Sequence, residues 1–132
     1  MIVGFSNETE ERFENTLKFI DEIGFSFLHV FPYSIRKFTK AAQFEQLNSE
    51  ETKKKRVHIL TEKSKALYEQ HLKSLVGTKV SVLLESKDER GVYGFSSAYD
   101  SVSIPQVTDL SHVIIDCVIV ASDHETLTAK PL

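Results

Sequence analysis

Four consecutive cations, Lys53, Lys54, Lys55 and Arg56, are the densest concentration of chemistry in this chain. Such a run can neutralise phosphates and release their counterions, which is how proteins hold polyanions. It can equally be a solvated helix face, because long basic side chains lie along a helix with their heads in water. Further on, Tyr93, Phe95 and Tyr99 stand among short β-rich runs, with Lys79, Lys87 and Arg90 close in sequence. Aromatic rings on a strand surface stack on unpaired bases while basic edges hold the backbone. Phe95 reads as a core residue, and Tyr99 suits core or surface because its hydroxyl tolerates water. Lys53, Lys54, Lys55, Arg56, Lys79, Arg90 and Tyr99 are therefore the candidate RNA-binding residues.

Other chemistries find little support. His29, His58, His71, His112 and His124 fall on different expected elements, and His58 and His71 are too far apart on one helix to share a metal. Cys117 is the single cysteine, which excludes an internal disulfide and a cysteine-rich metal site. The Ser, His and Asp residues offer no recognisable nucleophile arrangement, and strand solvation and a turn explain Asp116 and Asp123. No catalytic residue and no metal ligand is assigned.

The chain has 132 residues, 41% hydrophobic and 27% charged, which suits one globular domain or two small ones. No stretch approaches the ~20 apolar residues of a membrane span, and acids stand where a signal peptide carries bases. A cytoplasmic protein that makes no membrane contact is expected. The net charge of −3 is unevenly spread: residues 1–48 carry −2, 49–76 carry +3 and 77–132 carry −4. Only the middle segment invites a polyanion.

Three parts must position these residues. Residues 1–47 read as strand, helix, strand. Ile2 and Val3 are β-branched, Gly4 permits a turn or close approach, and Asn7 is the expected N-cap with Glu10 three residues on. Phe13, Leu17, Ile20 and Ile23 then recur at helical spacing up to Gly24, a C′ signal. Phe25 to Tyr33 reads as a second strand, which a crossover would set parallel to the first. Parallel strands are normally covered on both faces, so the unit is expected to lack upstream neighbours and to self-associate through its open edges. After a polar connector, residues 48–75 read as a long helix capped by Asn48 or Ser49. Val57, Leu60, Ser64, Leu67, His71 and Leu75 share one face of it. Residues 76–132 hold five short strands, Thr78–Glu85, Val92–Phe95, Tyr99–Ile104, His112–Ser122 and Glu125–Lys130, separated by turn signals. A small antiparallel barrel closes such strands without exposed edges. The expected class is α+β.

Several strings carry a family resemblance. Ile2-Val3-Gly4-Phe5, Glu8-Thr9-Glu10 and Phe13-Glu14-Asn15-Thr16-Leu17 resemble the fifth strand and helix of a radical-SAM methylthiotransferase barrel, a TIM-like fold. His29-Val30-Phe31-Pro32-Tyr33-Ser34 resembles its sixth strand, and Arg36, Thr39, Ala41 and Ala42 resemble the Arg-Pro-Gly-Thr-Pro-Ala-Ala loop after it. Val76-Gly77-Thr78, Gly94-Phe95-Ser96 and Tyr99 are similar to the C-terminal TRAM domain, an OB-like barrel. The His-Val-Phe-Pro-Tyr-Ser string is most similar to the branch that methylthiolates threonylcarbamoyladenosine beside the tRNA anticodon. The resemblance implies a βαβ remnant of the larger barrel, a connecting helix, a TRAM-like barrel, and tRNA as partner. It implies S-adenosylmethionine and two 4Fe–4S clusters as family cofactors, the first held by a Cys-x3-Cys-x2-Cys run that does not occur here. Ile2 and Gly4, with Val30 and Pro32, would touch the adenine of S-adenosylmethionine; filling a core is the other reading of Ile2 and Val30. The chain departs from the pattern at Phe5-Ser6-Asn7-Glu8-Thr9, which lacks the family's Pro-Gly, and at Ile35-Arg36-Lys37-Phe38-Thr39-Lys40, which lacks its prolines and glycine. The resemblance therefore implies a C-terminal fragment of a tRNA-modifying methylthiotransferase, inactive alone and without cofactors of its own, whose partner could be the missing N-terminal part. The alternative is a stand-alone RNA-binding adaptor.

Overall fold

A computed structural model describes residues 1–89, 91–109 and 113–132. The chain divides into two compact units, Met1–Leu67 and Tyr68–Leu132.

In the first unit, strand β1 (Ile2–Val3) leads into helix α1 (Glu10–Ile23) and returns as β2 (Phe31–Pro32). The strands are parallel, as a crossover demands, with Ile2 opposite Phe31 and Val3 opposite Pro32. The expected second strand, Phe25 to Tyr33, contracts to two residues. A strand extends only where a neighbour offers a ladder, and β1 offers two rungs: Phe31 donates to the Met1 carbonyl at 2.9 Å and Tyr33 to that of Val3 at 2.8 Å. Leu28 is served otherwise: the Ser64 hydroxyl accepts from its N–H at 2.8 Å and donates to its carbonyl at 3.0 Å. The N-cap of α1 is Thr9 rather than Asn7, with Thr9 Oγ1 accepting from the Arg12 N–H at 3.3 Å. Gly24 ends α1 in the left-handed region at φ 69°, donating to the Ile20 carbonyl at 3.1 Å. The polar connector contains a short 3₁₀ helix, Lys40–Gln43, capped by Thr39. Val3, Phe13, Ile20, Leu28 and Leu60 form the core.

Helix α2 (Glu50–Leu75) starts at Ser49, whose Oγ accepts from the Thr52 N–H at 3.1 Å, and runs through both units. Its buried stripe is Lys53, Arg56, Leu60 and Ser64 in the first unit and Leu72 in the second. The stripe thus begins two turns earlier than its apolar residues do.

The second unit is a closed barrel of β3 (Lys79–Asp88), β4 (Gly91–Ser96), β5 (Ser101–Ile104), β6 (Ile114–Ser122) and β7 (Leu127–Pro131), ordered β3-β4-β5-β7-β6. It is mixed, not wholly antiparallel: β5 and β7 run parallel, pairing Val102 with Leu127 and Ser103 with Thr128. The reason is parity, since strand direction alternates around antiparallel pairs and a ring of five must contain one pair that matches. Val82, Leu84, Val92, Val102, Ile104, Cys117, Ile119, Leu127 and Ala129 fill the interior with Leu72. Gly94 points inward where a Cβ would meet the Leu83 carbonyl oxygen at 2.0 Å, so only glycine fits that bend. Arg90 and His112, called for RNA contact and for a strand respectively, lie outside the described residues.

Candidate nucleic-acid interface

Strand alternation decides what the barrel shows to solvent. In β4, Val92, Gly94 and Ser96 point inward, so Phe95 points out and is 41% exposed, contrary to its expected core role. Its register partner in β3 is Leu83, and the partner of Leu83 in β6 is Ile114. Phe95, Leu83 and Ile114 therefore form one apolar row across three adjacent strands on the outer wall. With Ser81, Glu85, Ser96, Ser97 and Tyr99 the row lines an open groove of about 470 Å³. Lys79 shares the outward face of β3 with Ser81 and Leu83, about 13 Å from Leu83 at the usual strand rise.

Tyr99 stands at the rim in the β4–β5 turn, not in a strand, with φ 65° and 86% exposure. A buried network holds that turn. Ser96 Oγ accepts from the Ala98 and Asp100 N–H groups, each at 3.2 Å, and donates to Asp100 Oδ2 at 3.3 Å. Asp100 Oδ1 lies 3.3 Å from His71 Nε2 on α2. Lys87 is turned to the Thr108 carbonyl, to which its Nζ donates. The groove can receive a flat ring between Phe95 and Tyr99, although Glu85 and Asp116 keep its surroundings acidic. Leu83 and Ile114 were missed as site residues; the signal was a β6 sequence apolar on both faces.

The basic run is split by helical geometry. Lys54 and Lys55 are exposed, whereas Lys53 and Arg56 are buried in the first unit. Arg56 donates to the Glu8 carbonyl (3.0 Å), Glu8 Oε1 (2.8 Å), Asn48 Oδ1 (3.0 Å) and Glu10 Oε2 (3.1 Å), and its guanidinium carbon lies 5.2 Å from the Phe13 ring centre. Lys53 Nζ pairs with Glu50 at 2.8 Å and sits 5.7 Å from the Tyr33 ring centre. Its hydrogen bond holds the Glu50 carboxyl below the ordinary value. Four cations in sequence thus present two to solvent and two to the protein's own carboxylates.

Of the residues implied for S-adenosylmethionine, Ile2 lies in β1 and Pro32 in β2, with Gly4 and Val30 just outside those strands. Ile2 and Phe31 face out as partners (63% and 58% exposed), Pro32 pairs with Val3, and Val30 packs against the core. Gly4 has φ 77° and donates to Glu8 Oε1 at 2.8 Å. A Cβ there would sit 2.5 Å from Lys53 Cγ, so the bare side of Gly4 is covered by the Lys53 stem. An iron–sulfur cluster needs several thiolates, and the one thiol here, Cys117, is sealed inside the barrel, where burial and then the Asp116 carboxylate push it up. The donor set does not fit a cluster.

No protein-family model matches the chain. Curated proteins do. It is 42% identical over 88 residues to the tRNA-2-methylthio-N(6)-dimethylallyladenosine synthase of Bdellovibrio bacteriovorus, covering 67% of this chain and 19% of that protein. It is 33% identical over 130 residues to the enzyme of the same name from Protochlamydia amoebophila, covering 96% of this chain and 29% of that protein. The threonylcarbamoyladenosine tRNA methylthiotransferase MtaB of Bacillus subtilis is 35% identical over 120 residues, covering 87% of this chain and 27% of that protein. These relatives are tRNA methylthiotransferases. The chain spans less than a third of the length of each, and the two named activities match it at comparable identity. The alignment with the Protochlamydia methylthiotransferase extends over nearly all of both units.

Proposed function

We propose that this chain is the C-terminal segment of a cytoplasmic tRNA methylthiotransferase, and that its barrel is a TRAM-type module that binds tRNA. The threonylcarbamoyladenosine branch is the preferred substrate class, on the His29-Val30-Phe31-Pro32-Tyr33-Ser34 string. The first unit, on this reading, is the closing βαβ of a radical-SAM barrel. The segment holds no cluster and does not cleave S-adenosylmethionine by itself; Ile2, Gly4, Val30 and Pro32 contribute one wall of that site in the complete enzyme. The observation that carries the reading is similarity over 96% of this chain to a tRNA-modifying enzyme, joined to an exposed Phe95–Leu83–Ile114 row with Tyr99 at its rim. In the barrel the bases stack on that row while Lys79 meets phosphate, and in the first unit Lys54 and Lys55 add phosphate contacts.

Fluorescence anisotropy with labelled tRNA tests this. Binding should be salt-sensitive, and Tyr99→Ala should weaken it about tenfold, the worth of one stacked base. Lys79→Ala should reduce the salt slope by about one contact. A wild-type chain that binds no tRNA at low salt would end the proposal.

A further inference from the structure

The turn Arg36–Thr39 carries a bulky ring at the position where turn chemistry asks for none. The Thr39 N–H donates to the Arg36 carbonyl at 3.4 Å, and the Thr39 hydroxyl donates to the same oxygen at 2.8 Å. Phe38, third in the turn, has φ 68°, whereas Lys37 before it is not in the positive-φ region. These φ signs are those of a type II turn, whose third position favours glycine. A bulky residue in the left-handed region is a genuine outlier. Burial does not offset the strain, because Phe38 is fully exposed, at 104% of its reference area.

Its neighbours are as distinctive. Arg36, Lys37 and Lys40 are all exposed, and among the described residues none of them is in an ion pair. Residues 34–44 contain these three cations and no acid. A partner matching this surface carries regularly spaced negative charge and a flat face to lie against one ring. Unpaired RNA has both. A bilayer is a poorer match, because it takes up a broad amphipathic apolar face rather than one ring raised on a turn.

We propose that the Arg36–Lys40 turn is an RNA contact in which an unpaired base stacks on Phe38 and the flanking phosphates meet Arg36, Lys37 and Lys40. The proposal rests on the tRNA reading above and adds a site in the first unit to the barrel groove in the second.

The test uses the full chain with two probes, tRNA and a labelled oligouridine of about twelve nucleotides, and measures affinity and thermal midpoint on the same samples. Phe38→Gly relaxes the turn and removes the ring. Its thermal midpoint should rise while its oligouridine affinity falls about tenfold. Phe38→Trp should retain binding. The triple change Arg36→Ala, Lys37→Ala, Lys40→Ala should lower the salt slope by about two on a single strand. Wild-type affinity in Phe38→Gly, or an unchanged salt slope in the triple variant, overturns the proposal. Preferential binding to phosphatidylserine vesicles, lost in Phe38→Gly, overturns it in favour of a bilayer. If tRNA binds, depends on Tyr99 and is indifferent to Phe38, this inference fails while the tRNA reading stands. If the wild-type chain binds neither probe, the tRNA reading itself has failed and this inference falls with it.

Discussion

Replacing Arg56 should destabilise the first unit rather than weaken RNA binding, and the size of the effect follows from its partners. Arg56→Met keeps most of the stem over Phe13 but removes every donor. The Glu8 carboxylate, whose side chain is 14% exposed, then retains the Gly4 N–H at 2.8 Å and loses its cation. The Glu8 carbonyl keeps Asn48 Nδ2 at 3.1 Å, but Asn48 Oδ1 loses the Arg56 donor. Glu10 is 72% exposed and returns to water at a cost of about 0–1 kcal/mol. Breaking a buried pair costs about 3–5 kcal/mol, and the partial exposure of Glu8 argues for the lower end, about 3 kcal/mol. For a unit of this size that lowers the melting temperature by about 12–24 °C, a large part of a small domain's stability. Circular-dichroism melts read the loss, and hydrogen exchange at the Gly4 amide assigns it to this unit. Arg56→Met combined with Glu8→Gln removes both members of the buried pair and should recover most of the stability. A loss below about 1 kcal/mol would refute the argument. So would weaker tRNA binding at unchanged stability, which would return Arg56 to the phosphate face expected from sequence.

Gly94→Ala should destabilise the barrel by about 3 kcal/mol, because its Cβ would lie 2.0 Å from the Leu83 carbonyl oxygen; an unchanged urea midpoint would contradict that fit. Cys117 should resist thiol reagents in the native state and react fully in denaturant, since burial both hides the thiol and pushes it up. Asp123 Oδ1 accepts from the Glu125 and Thr126 N–H groups at 2.9 and 2.7 Å, and these bonds hold its carboxyl below the ordinary 3.8. Its contribution is therefore complete above about pH 4 and is lost as pH falls through the depressed folded value; Asp123→Ala should flatten acid unfolding in that window. The outward pair Ile2 and Phe31 beside open strand edges should make the chain self-associate. Light scattering should show the mass rising with concentration and Phe31→Lys suppressing it, while a monomer at every concentration would remove the expectation.

What was legible in the sequence was local. Gly24 stops α1 with the positive φ its position requires. The turn clusters of residues 77–132 divide five strands nearly where they fall, because punctuation and alternation are nearest-neighbour properties. The failures needed a distant partner. Strand β2 is short because β1 is short. Lys53 and Arg56 continue the 53–56–60–64 stripe of α2, yet cations read as solvent-facing. The acids that turn Arg56 inward, Glu8 and Glu10, lie 48 and 46 residues away. Thr9 takes the cap from Asn7, since the residues before it are tied off in a turn, the Glu8 N–H donating to the Phe5 carbonyl at 2.9 Å and Arg56 holding the Glu8 carbonyl.

Phe38 and Tyr99 are, among the described residues, the two non-glycine residues with positive φ. Among the described residues they are also the most exposed of the large hydrophobic side chains, at 104% and 86%. Each stands on a turn, one in each unit. Backbone strain at a buried residue can be offset by packing, but an exposed ring gains nothing from the fold that strains it. Folding alone would favour glycine at both places. Two aromatic rings held outward against that preference, one beside three unpaired cations and one at the rim of an apolar groove, are placed for stacking against a partner. If Phe38→Gly and Tyr99→Gly both stabilise the chain and both weaken RNA binding, the strain belongs to function; if both stabilise it and binding is untouched, it does not.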